Sequence, residues 1–406
     1  MDDVMRALPV PLLSVLPLLL CGCQDSNAPS EPDANSANGI TVSLPAPGDV
    51  DLPPDGGSSV EVVTIPPEQD EIATLVQSLQ DLESHRFSDN DQQQPVLERQ
   101  RHLKIVEMST DVMRLTAQIK DRQQEFQFAL RQRLNSRLQL ALNGSKADVD
   151  QLYKDVETLN THDESSIATA EGIYTLARFA HAMAKRGGAE DVRWFENFSR
   201  WAREFSRRFP NQPERAAALL LGAGRSCEVR MMKEQDETAS RLRQQAKLCF
   251  TELAEKYADR SESAQAAAAL RRMALTGTPL TQFSGPGMNG GKISSTDFSE
   301  GQTLIYFWES DSREFQETML PLLKGLPPSV KLIGVSLDQN ADKSRDSVSR
   351  LQLPGKQILF GKDSAGWNSP LIRFWSIPSS PCCWILRDGT VLAVDVSAEA
   401  LSKKLN

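Results

Sequence analysis

The chain has 406 residues, enough for two or three domains with sizeable cores. It carries 45 Lys and Arg against 54 Asp and Glu, a formal net charge of −9. We do not expect so acidic a chain to bind nucleic acid. Beyond the N-terminus, no apolar run in the sequence is long enough to cross a bilayer.

The N-terminus has the pattern of a secretion signal. Residues 7–20 are apolar apart from Ser14, and Leu20-Cys21-Gly22-Cys23 closes the run. The segment resembles bacterial lipoprotein signals. The resemblance implies a signal peptide over residues 1–22, acylation of Cys23, and a lipid-anchored protein on the periplasmic side of the cell envelope. The alternative is an ordinary signal peptide in which Cys23 is incidental.

The segment after the signal, residues 23–70, is rich in Pro, Ser, Gly, Asn and Asp and poor in large apolar residues. Such a composition cannot bury enough surface to offset chain entropy. We therefore expect a disordered tether that holds the folded part away from the membrane.

Residues 71–275 switch to helical periodicity, with few prolines and almost no strand signal. Pro95 is predicted to open a long helical stretch that breaks once before Gly144. One side of that stretch is expected to be apolar at Leu103, Val106, Met113, Ile119, Phe126 and Leu130. Further helices are predicted at 146–159, 164–186, 190–208, 214–233, 238–257 and 262–275.

A weak internal repeat of 48 residues lies within this region. Residues 203–217 align with 251–265, and Phe209 aligns with Tyr257. An aromatic residue at a helix end, a short turn and an Ala-rich helix resemble tetratricopeptide hairpins. The region is either a concave peptide-binding surface or a helical cap on the C-terminal domain, and we favour the cap.

Two cysteines, Cys227 and Cys249, fall in consecutive predicted helices. If the turn between them centres near Thr238, they stand at equal height and could form a disulfide in an oxidising compartment. The alternative is two buried thiols.

The C-terminal domain begins near residue 276, and its organising stretch is 303–321. Residues 303–308 are a continuous apolar, β-favouring run, which predicts a strand covered on both faces. Asp311 followed by Glu314 has the pattern of a capping box, so a helix is predicted to begin near Ser312.

This stretch resembles the active-site segment of thioredoxin-like proteins of the TlpA and ResA type. Phe307 and Trp308 match the aromatic pair before the CxxC motif of that family. The two cysteine positions fall on Ser312 and Phe315, and the buried acid of the central strand falls on Tyr306. The scaffold is recognisable, but its reactive groups are replaced.

Later elements alternate between strand and helix, at 330–338, 343–351, 357–360, 390–396 and 398–405. This alternation predicts a central sheet with helices on both faces. The expected fold is an all-α, tetratricopeptide-like region at 71–275 followed by an α/β, thioredoxin-like domain at 276–406.

The segment 375–391 resembles the cis-proline loop and following strand of thioredoxin. The resemblance places Pro381 at the cis-proline. It also implies a groove at Trp308, Ser380 and Pro381, where the family binds an extended peptide through backbone hydrogen bonds.

Thiol–disulfide exchange needs a thiolate at a helix N-terminus and a second thiol that resolves the mixed disulfide. Ser312 and Phe315 supply neither. All four histidines precede this domain, so neither a Ser-His hydrolase nor a Cys/His metal site is expected there, and no cofactor is predicted.

Cys382 and Cys383 are the remaining thiols of this domain. Strand neighbours point to opposite faces, so at most one can face the groove, and Cys382 could lie near Ser312. The favoured function is non-redox binding of a protein or peptide. The alternative is a thiol-disulfide oxidoreductase or peroxidase that uses Cys382 or Cys383.

Overall fold

The computed structural model describes residues 69–85, 93–186 and 192–405. The predicted signal peptide, Cys23 and nearly all of the predicted tether lie outside the described residues. Within the described ranges, no helix is both long and apolar enough to cross a membrane.

The N-terminal part of the described chain is a series of nine helices. They are α1 (Gln69–Ser84), α2 (Gln94–Thr116), α3 (Gln123–Asn143), α4 (Lys146–His162), α5 (Ile167–Arg186), α6 (Arg193–Arg208), α7 (Pro213–Met231), α8 (Asp236–Lys256) and α9 (Ser261–Met273).

The long helical stretch after Pro95 breaks once before Gly144, as predicted. α2 ends at Thr116, and a short 3₁₀ turn leads into α3, which runs to the residue before Gly144. Ile119 lies in the break between α2 and the 3₁₀ turn, so the predicted apolar side is interrupted there. Leu103 and Ile119 are 43% and 38% exposed, so these two positions are corrected from core to surface.

The 48-residue repeat corresponds to two helical hairpins, α6–α7 and α8–α9. Phe209 ends α6 and Tyr257 ends α8, and both side chains are buried. Helices α7 and α8 approach closely at Gly224, where a Cβ atom would lie 2.4 Å from the Phe250 ring. The two helical hairpins predicted from the repeat are therefore present, and they pack closely through a small residue.

The C-terminal domain contains a five-stranded sheet and a small hairpin. The hairpin pairs β1 (Ser284–Pro286) with β2 (Lys292–Ser294). The remaining elements are β3 (Gln302–Trp308), a π-helical turn (Phe315–Met319) that continues as α10 (Leu320–Lys324), β4 (Lys331–Ser336), α11 (Ala341–Leu351), β5 (Lys356–Ile358), α12 (Pro370–Trp375), β6 (Cys382–Arg387), β7 (Thr390–Val396) and α13 (Ala398–Leu405).

The strand order of the sheet is β5-β4-β3-β6-β7. Strand β3 is parallel to β4 and antiparallel to β6, and β6 is antiparallel to β7. A parallel strand–helix–strand unit followed by an antiparallel strand–strand–helix unit in one sheet is the thioredoxin arrangement. The predicted fold, a helical region followed by a thioredoxin-like domain, is therefore confirmed.

The two faces of this sheet bury separate cores, because side chains alternate along each strand. The first face carries Phe307, Trp384 and Cys382, and it packs against α12 and against Met232 and Leu275 of the helical region. On the second face, covered by the helix after β3 and by α13, lie Tyr306, Trp308, Phe315, Met319, Cys383 and Leu401.

Candidate functional site

The candidate site lies where β3 ends and the next helix begins. Ser312 Oγ accepts a hydrogen bond from the backbone N–H of Phe315 at 3.2 Å, so Ser312 caps the helix. Asp311, which the sequence pattern placed in the cap, forms an ion pair with Lys343 instead. The helix begins where predicted, but the capping residue is one position later.

Phe315, which the sequence resemblance aligns with the second cysteine of the CxxC motif, is a core residue. The side chain of Phe315 is 0% exposed. Its ring stacks on Tyr306 at a centroid distance of 6.2 Å and on Trp308 at 5.9 Å. Such aromatic contacts contribute beyond simple burial of area. Phe315 therefore joins the helix to the sheet.

Tyr306 is the residue that the sequence resemblance aligns with a buried acid. Its hydroxyl donates to the carbonyl of Pro354 at 2.7 Å and accepts from Gln357 Nε2 at 2.6 Å. Burial raises the pKa of this phenol above its ordinary value. A neutral, fully hydrogen-bonded phenol cannot act as the proton acceptor that a buried carboxylate provides.

Cys382 and Cys383 lie on opposite faces of β6, as strand alternation predicts. Cys383 pairs with Tyr306 across the sheet and shares the core with Phe315, whereas Cys382 pairs with Phe307 on the other face. The sequence expectation that Cys382 is the cysteine near the helix start is therefore corrected. Because side chains alternate along β6, Cys383 lies on the face covered by the helix after β3, and Cys382 lies on the opposite face.

Both of these thiols are inaccessible. Cys382 and Cys383 are each 0% exposed. Burial raises the pKa of both thiols, and the negative charge of Asp395 raises it further. Because the thiolate is the reactive form, neither sulfur has the low pKa or the access that nucleophilic chemistry requires.

The loop before β6 contains the cis peptide bond expected from the resemblance, Ser380–Pro381. The groove predicted around it is largely closed. Trp308 and Pro381 are buried, and Ser380 is half-buried. Met232, at the end of α7, accepts a hydrogen bond from Ser379 Oγ at 3.3 Å. The helical region thus contacts the loop that a bound peptide would approach in the thioredoxin family.

A second contact fixes the helical region to the same loop. Arg225 of α7 donates to Ser376 Oγ at 2.8 Å and to the carbonyl of Ile377 at 3.4 Å. Arg271 of α9 donates to the carbonyl of Phe374 at 2.7 Å, and its guanidinium lies 4.1 Å from the centroid of that ring.

A fully buried ion cluster lies beneath these contacts, and we call Arg272, Glu228 and Asp395 the Arg272 cluster. Arg272 Nε is 2.8 Å from Asp395 Oδ2, and Arg272 also pairs with Glu228. The same guanidinium donates to the carbonyls of Trp375, at 2.7 Å, and Ser376. The cluster joins α7 and α9 to β7 and to the end of α12.

The protonation of the cluster follows from its burial. Burial raises the pKa of Glu228 to about 7, against the opposing effect of Arg272. One oxygen of Glu228 has no hydrogen-bond partner within the described residues. Sequence reasoning missed this cluster, because Arg272 lies 44 residues from Glu228 and 123 residues from Asp395, and no local pattern marks them.

Cys227 and Cys249 are free thiols in the structure, not the disulfide considered from the sequence. Cys249 Sγ lies 3.2 Å from Ser199 Oγ, and Cys227 Sγ lies 3.7 Å from the carbonyl of Phe195. Burial raises the pKa of both thiols, that of Cys249 to about 11. Each cysteine packs against α6, which separates their polar contacts by one helical turn.

No group of three or more His, Cys, Asp or Glu side chains in the described part of the chain is arranged to hold a metal ion. The polar atoms at the site are instead used internally. Gln316 Nε2 donates to the carbonyl of Ser310 at 2.6 Å, and Ser310 N donates to Asp338 Oδ1 at 2.9 Å.

No family model matches this chain, and no curated protein matches it. Solved structures resemble its C-terminal third. One is the C-terminal domain of a protein assigned as a thiol-disulfide oxidoreductase from Bacteroides thetaiotaomicron. It is 28% identical, the match covers 32% of this chain and 93% of that one, and the TM-score is 0.28.

Two other similar structures are described in the same terms. A thiol-disulfide oxidoreductase from Bacteroides fragilis is 25% identical, with 30% of this chain and 93% of that one covered and a TM-score of 0.27. A secreted disulfide oxidoreductase from Mycobacterium tuberculosis is 16% identical, with coverages of 31% and 95% and a TM-score of 0.26. At these TM-scores the likeness says nothing about the activity of this chain.

Proposed function

We propose that this chain is a protein- or peptide-binding module whose thioredoxin-like domain no longer carries out thiol–disulfide exchange. One observation carries the proposal. The two positions that the sequence resemblance assigns to the CxxC motif are Ser312, which caps a helix, and Phe315, which is a fully buried core residue. Neither side chain can form the mixed disulfide on which exchange depends.

The alternative, an oxidoreductase or peroxidase, would have to use Cys382 or Cys383. Both are fully buried, and burial raises their pKa. Reaction with a peroxide or a protein disulfide needs a sulfur that is both ionised and accessible. These two observations argue against the enzymatic alternative.

A binding role is consistent with how the helical region is held. The Arg272 cluster and the contacts of Arg225 and Arg271 fix α7 and α9 to the thioredoxin-like domain. A helical surface held in one orientation loses little conformational freedom when a partner binds, which favours affinity. The thioredoxin-like domain then acts as a support for the helical region.

The proposal is tested with an insulin-reduction assay of the full chain in the presence of dithiothreitol. We expect the same rate as the dithiothreitol blank. A protein-dependent rate that disappears in Cys382→Ala or Cys383→Ala would refute the proposal and establish the enzymatic alternative.

A gain-of-function variant, Ser312→Cys with Phe315→Cys, tests the placement of the motif. The single variant Ser312→Cys is the matched control, because it has no resolving thiol. Replacing the buried Phe315 ring removes a large side chain, which costs about 3–5 kcal/mol for truncation to Ala, so folding is checked by circular dichroism. Activity in the folded double variant alone supports the assignment of both positions, and a folded but inactive double variant argues against it.

We further propose that the protein is anchored in the cell envelope through an acylated Cys23. The support is the apolar run at residues 7–20 and the Leu20-Cys21-Gly22-Cys23 sequence that follows it. The expected result is that the wild-type protein sediments with membranes and that Cys23→Ser releases it. Equal release of wild type and variant, or an intact Cys23 thiol in the mature protein, would refute the anchor.

A further inference from the structure

In the hairpins α6–α7 and α8–α9, the second helix of each contacts the thioredoxin-like domain, and the first helix of each lies outside that junction. Contacts to the thioredoxin-like domain come from α7, α9 and the turn after α7, through Arg225, Met232 and Arg272. Helices α6 and α8 contact each other instead. Ser199 Oγ donates to Gln245 Oε1 at 2.9 Å, so the two helices run side by side and border a shared groove.

This groove has a volume of about 350 Å³. Its lining residues on α6 have the i, i+3, i+4, i+7 spacing of a single helical face. On α8 they are one turn apart. The lining is Arg200, Arg203, Glu204, Arg207, Glu252 and Lys256, and we call it the α6–α8 groove.

The two acids of the groove are already paired. Glu204 accepts from Arg207 at 2.6 Å and from Arg208 at 3.3 Å. Glu252 pairs with Lys256 at 2.8 Å. Both carboxylates are therefore already neutralised by these partners, and neither pairs with Arg200 or Arg203.

Two arginines of the groove have no carboxylate partner among the described residues. Arg200 is exposed, and its guanidinium lies 4.6 Å from the centroid of the Trp201 ring. Arg203 donates from Nη2 to Gln245 Oε1 at 3.3 Å, but its Nε is buried and has no hydrogen-bond partner. A buried donor without an acceptor is costly, and a bound acceptor would relieve that cost.

The charge of the groove contrasts with that of the chain. Helix α6 contains five Arg and two Glu within 16 residues, whereas the whole chain has a net charge of −9. A local concentration of guanidinium groups attracts negative charge, and Arg binds carboxylates with two parallel hydrogen bonds. The groove therefore favours anionic groups, and its arginines match the geometry of carboxylates.

The length of the groove indicates how much ligand it holds. From Arg200 to Arg207 the helix advances by about 10 Å, at 1.5 Å per residue. An extended chain covers that distance in about three residues. A short acidic segment can thus place successive carboxylates along α6.

We infer that the α6–α8 groove binds an extended, Asp/Glu-rich segment of a partner protein. The inference rests on the proposed binding function and names its surface and the chemistry of its ligand. Carboxylates of the segment pair with Arg200 and Arg203, and the Arg203 Nε–H gains the acceptor that it lacks.

The test uses the full chain and a fluorescein-labelled peptide of alternating Glu and Ser residues, with binding followed by fluorescence anisotropy. A peptide with Gln in place of every Glu is the control ligand. We expect saturable binding of the Glu peptide that weakens as salt increases, and at least tenfold weaker binding of the Gln peptide. No binding, or equal binding of both peptides, overturns the inference.

Matched variants localise the binding. Arg200→Gln with Arg203→Gln removes the two unpaired cations, and we expect roughly five- to tenfold weaker binding. Arg200→Gln with Arg207→Gln changes only exposed residues and keeps the test valid if Arg203→Gln disturbs folding. The control pair is Lys104→Gln with Arg114→Gln on α2, also exposed; its effect should stay below twofold.

Equal weakening by the α2 pair and the groove pairs would overturn the inference, because binding would then reflect net charge alone. Residues 24–70 contain nine acidic residues and no Lys or Arg. If the peptide of this segment binds and the Glu peptide does not, the groove serves the chain itself, and the partner-protein inference is overturned. Insulin reduction by the same preparation that disappears in Cys382→Ala or Cys383→Ala would refute the proposed function, whatever the result of the peptide measurement.

Discussion

Replacing Arg272 with methionine should be the most damaging single change at the junction between the helical region and the thioredoxin-like domain. Arg272 is 0% exposed and pairs with Glu228 and Asp395. It also donates to the carbonyls of Trp375 and Ser376. Methionine keeps much of the side-chain volume but removes every one of these donors.

The size of the effect follows from what is left behind. Glu228 can take up a proton, because burial already raises its pKa to about 7. Asp395 is only 1% exposed and keeps a single long contact, 3.3 Å, from Trp384 Nε1. Removing one partner of a buried pair costs about 3–5 kcal/mol. We expect the free energy of unfolding to fall by that amount.

The measurement is urea denaturation followed by intrinsic tryptophan fluorescence, to which Trp375 and Trp384 near the cluster contribute. The matched control is Arg271→Met, because Arg271 is exposed and contacts one carbonyl and one ring. The control should lose less than about 1 kcal/mol. If Arg272→Met is no more destabilising than Arg271→Met, the Arg272 cluster does not hold the junction together and the reasoning fails.

Three further predictions follow from the structure. Glu228 has a folded pKa of about 7, above its ordinary value of 4.5. The stability that it contributes is therefore complete below pH 4.5 and is lost as the pH rises through 7. In urea melts, the free energy of unfolding of wild type should fall by on the order of 1–3 kcal/mol relative to Glu228→Gln between pH 5 and pH 8. Parallel pH curves for the two proteins would contradict this prediction. Gly224→Ala should cost about 1–3 kcal/mol, since its Cβ would overlap the phenylalanine ring of α8. Gly222→Ala, whose nearest contact is 3.5 Å, should be neutral or stabilising, and equal thermal shifts would refute the close packing. Ser312→Ala should lose about 1 kcal/mol through the helix cap, and an equal loss in Asp311→Ala would contradict the assignment of the cap.

Local patterns predicted the strands of the thioredoxin-like domain well. The apolar run of β3 and the bounds of β7 and α13 follow from periodicity and from turn residues. The cis bond at Pro381 is expected from the resemblance of residues 375–391 to thioredoxin. These features depend on residues close together in the chain, so a single sequence contains them.

Features that depend on distant partners could not be read from the sequence. Asp311 fits a capping pattern, but Lys343 of another helix takes its carboxylate, and Ser312 caps the helix instead. The face on which Cys382 lies depends on the register with β3. Arg272, buried among partners from three elements, resembles any arginine at the end of a helix.

Counting the reactive thiols tests the loss of exchange chemistry most directly. In the variant Cys21→Ser with Cys23→Ser, four thiols remain, and all four are buried in the structure. Titration with a chromogenic disulfide should therefore find no fast-reacting thiol in the native protein and four after denaturation. A native thiol that reacts rapidly near neutral pH, and is lost in Cys382→Ala or Cys383→Ala, would contradict the account.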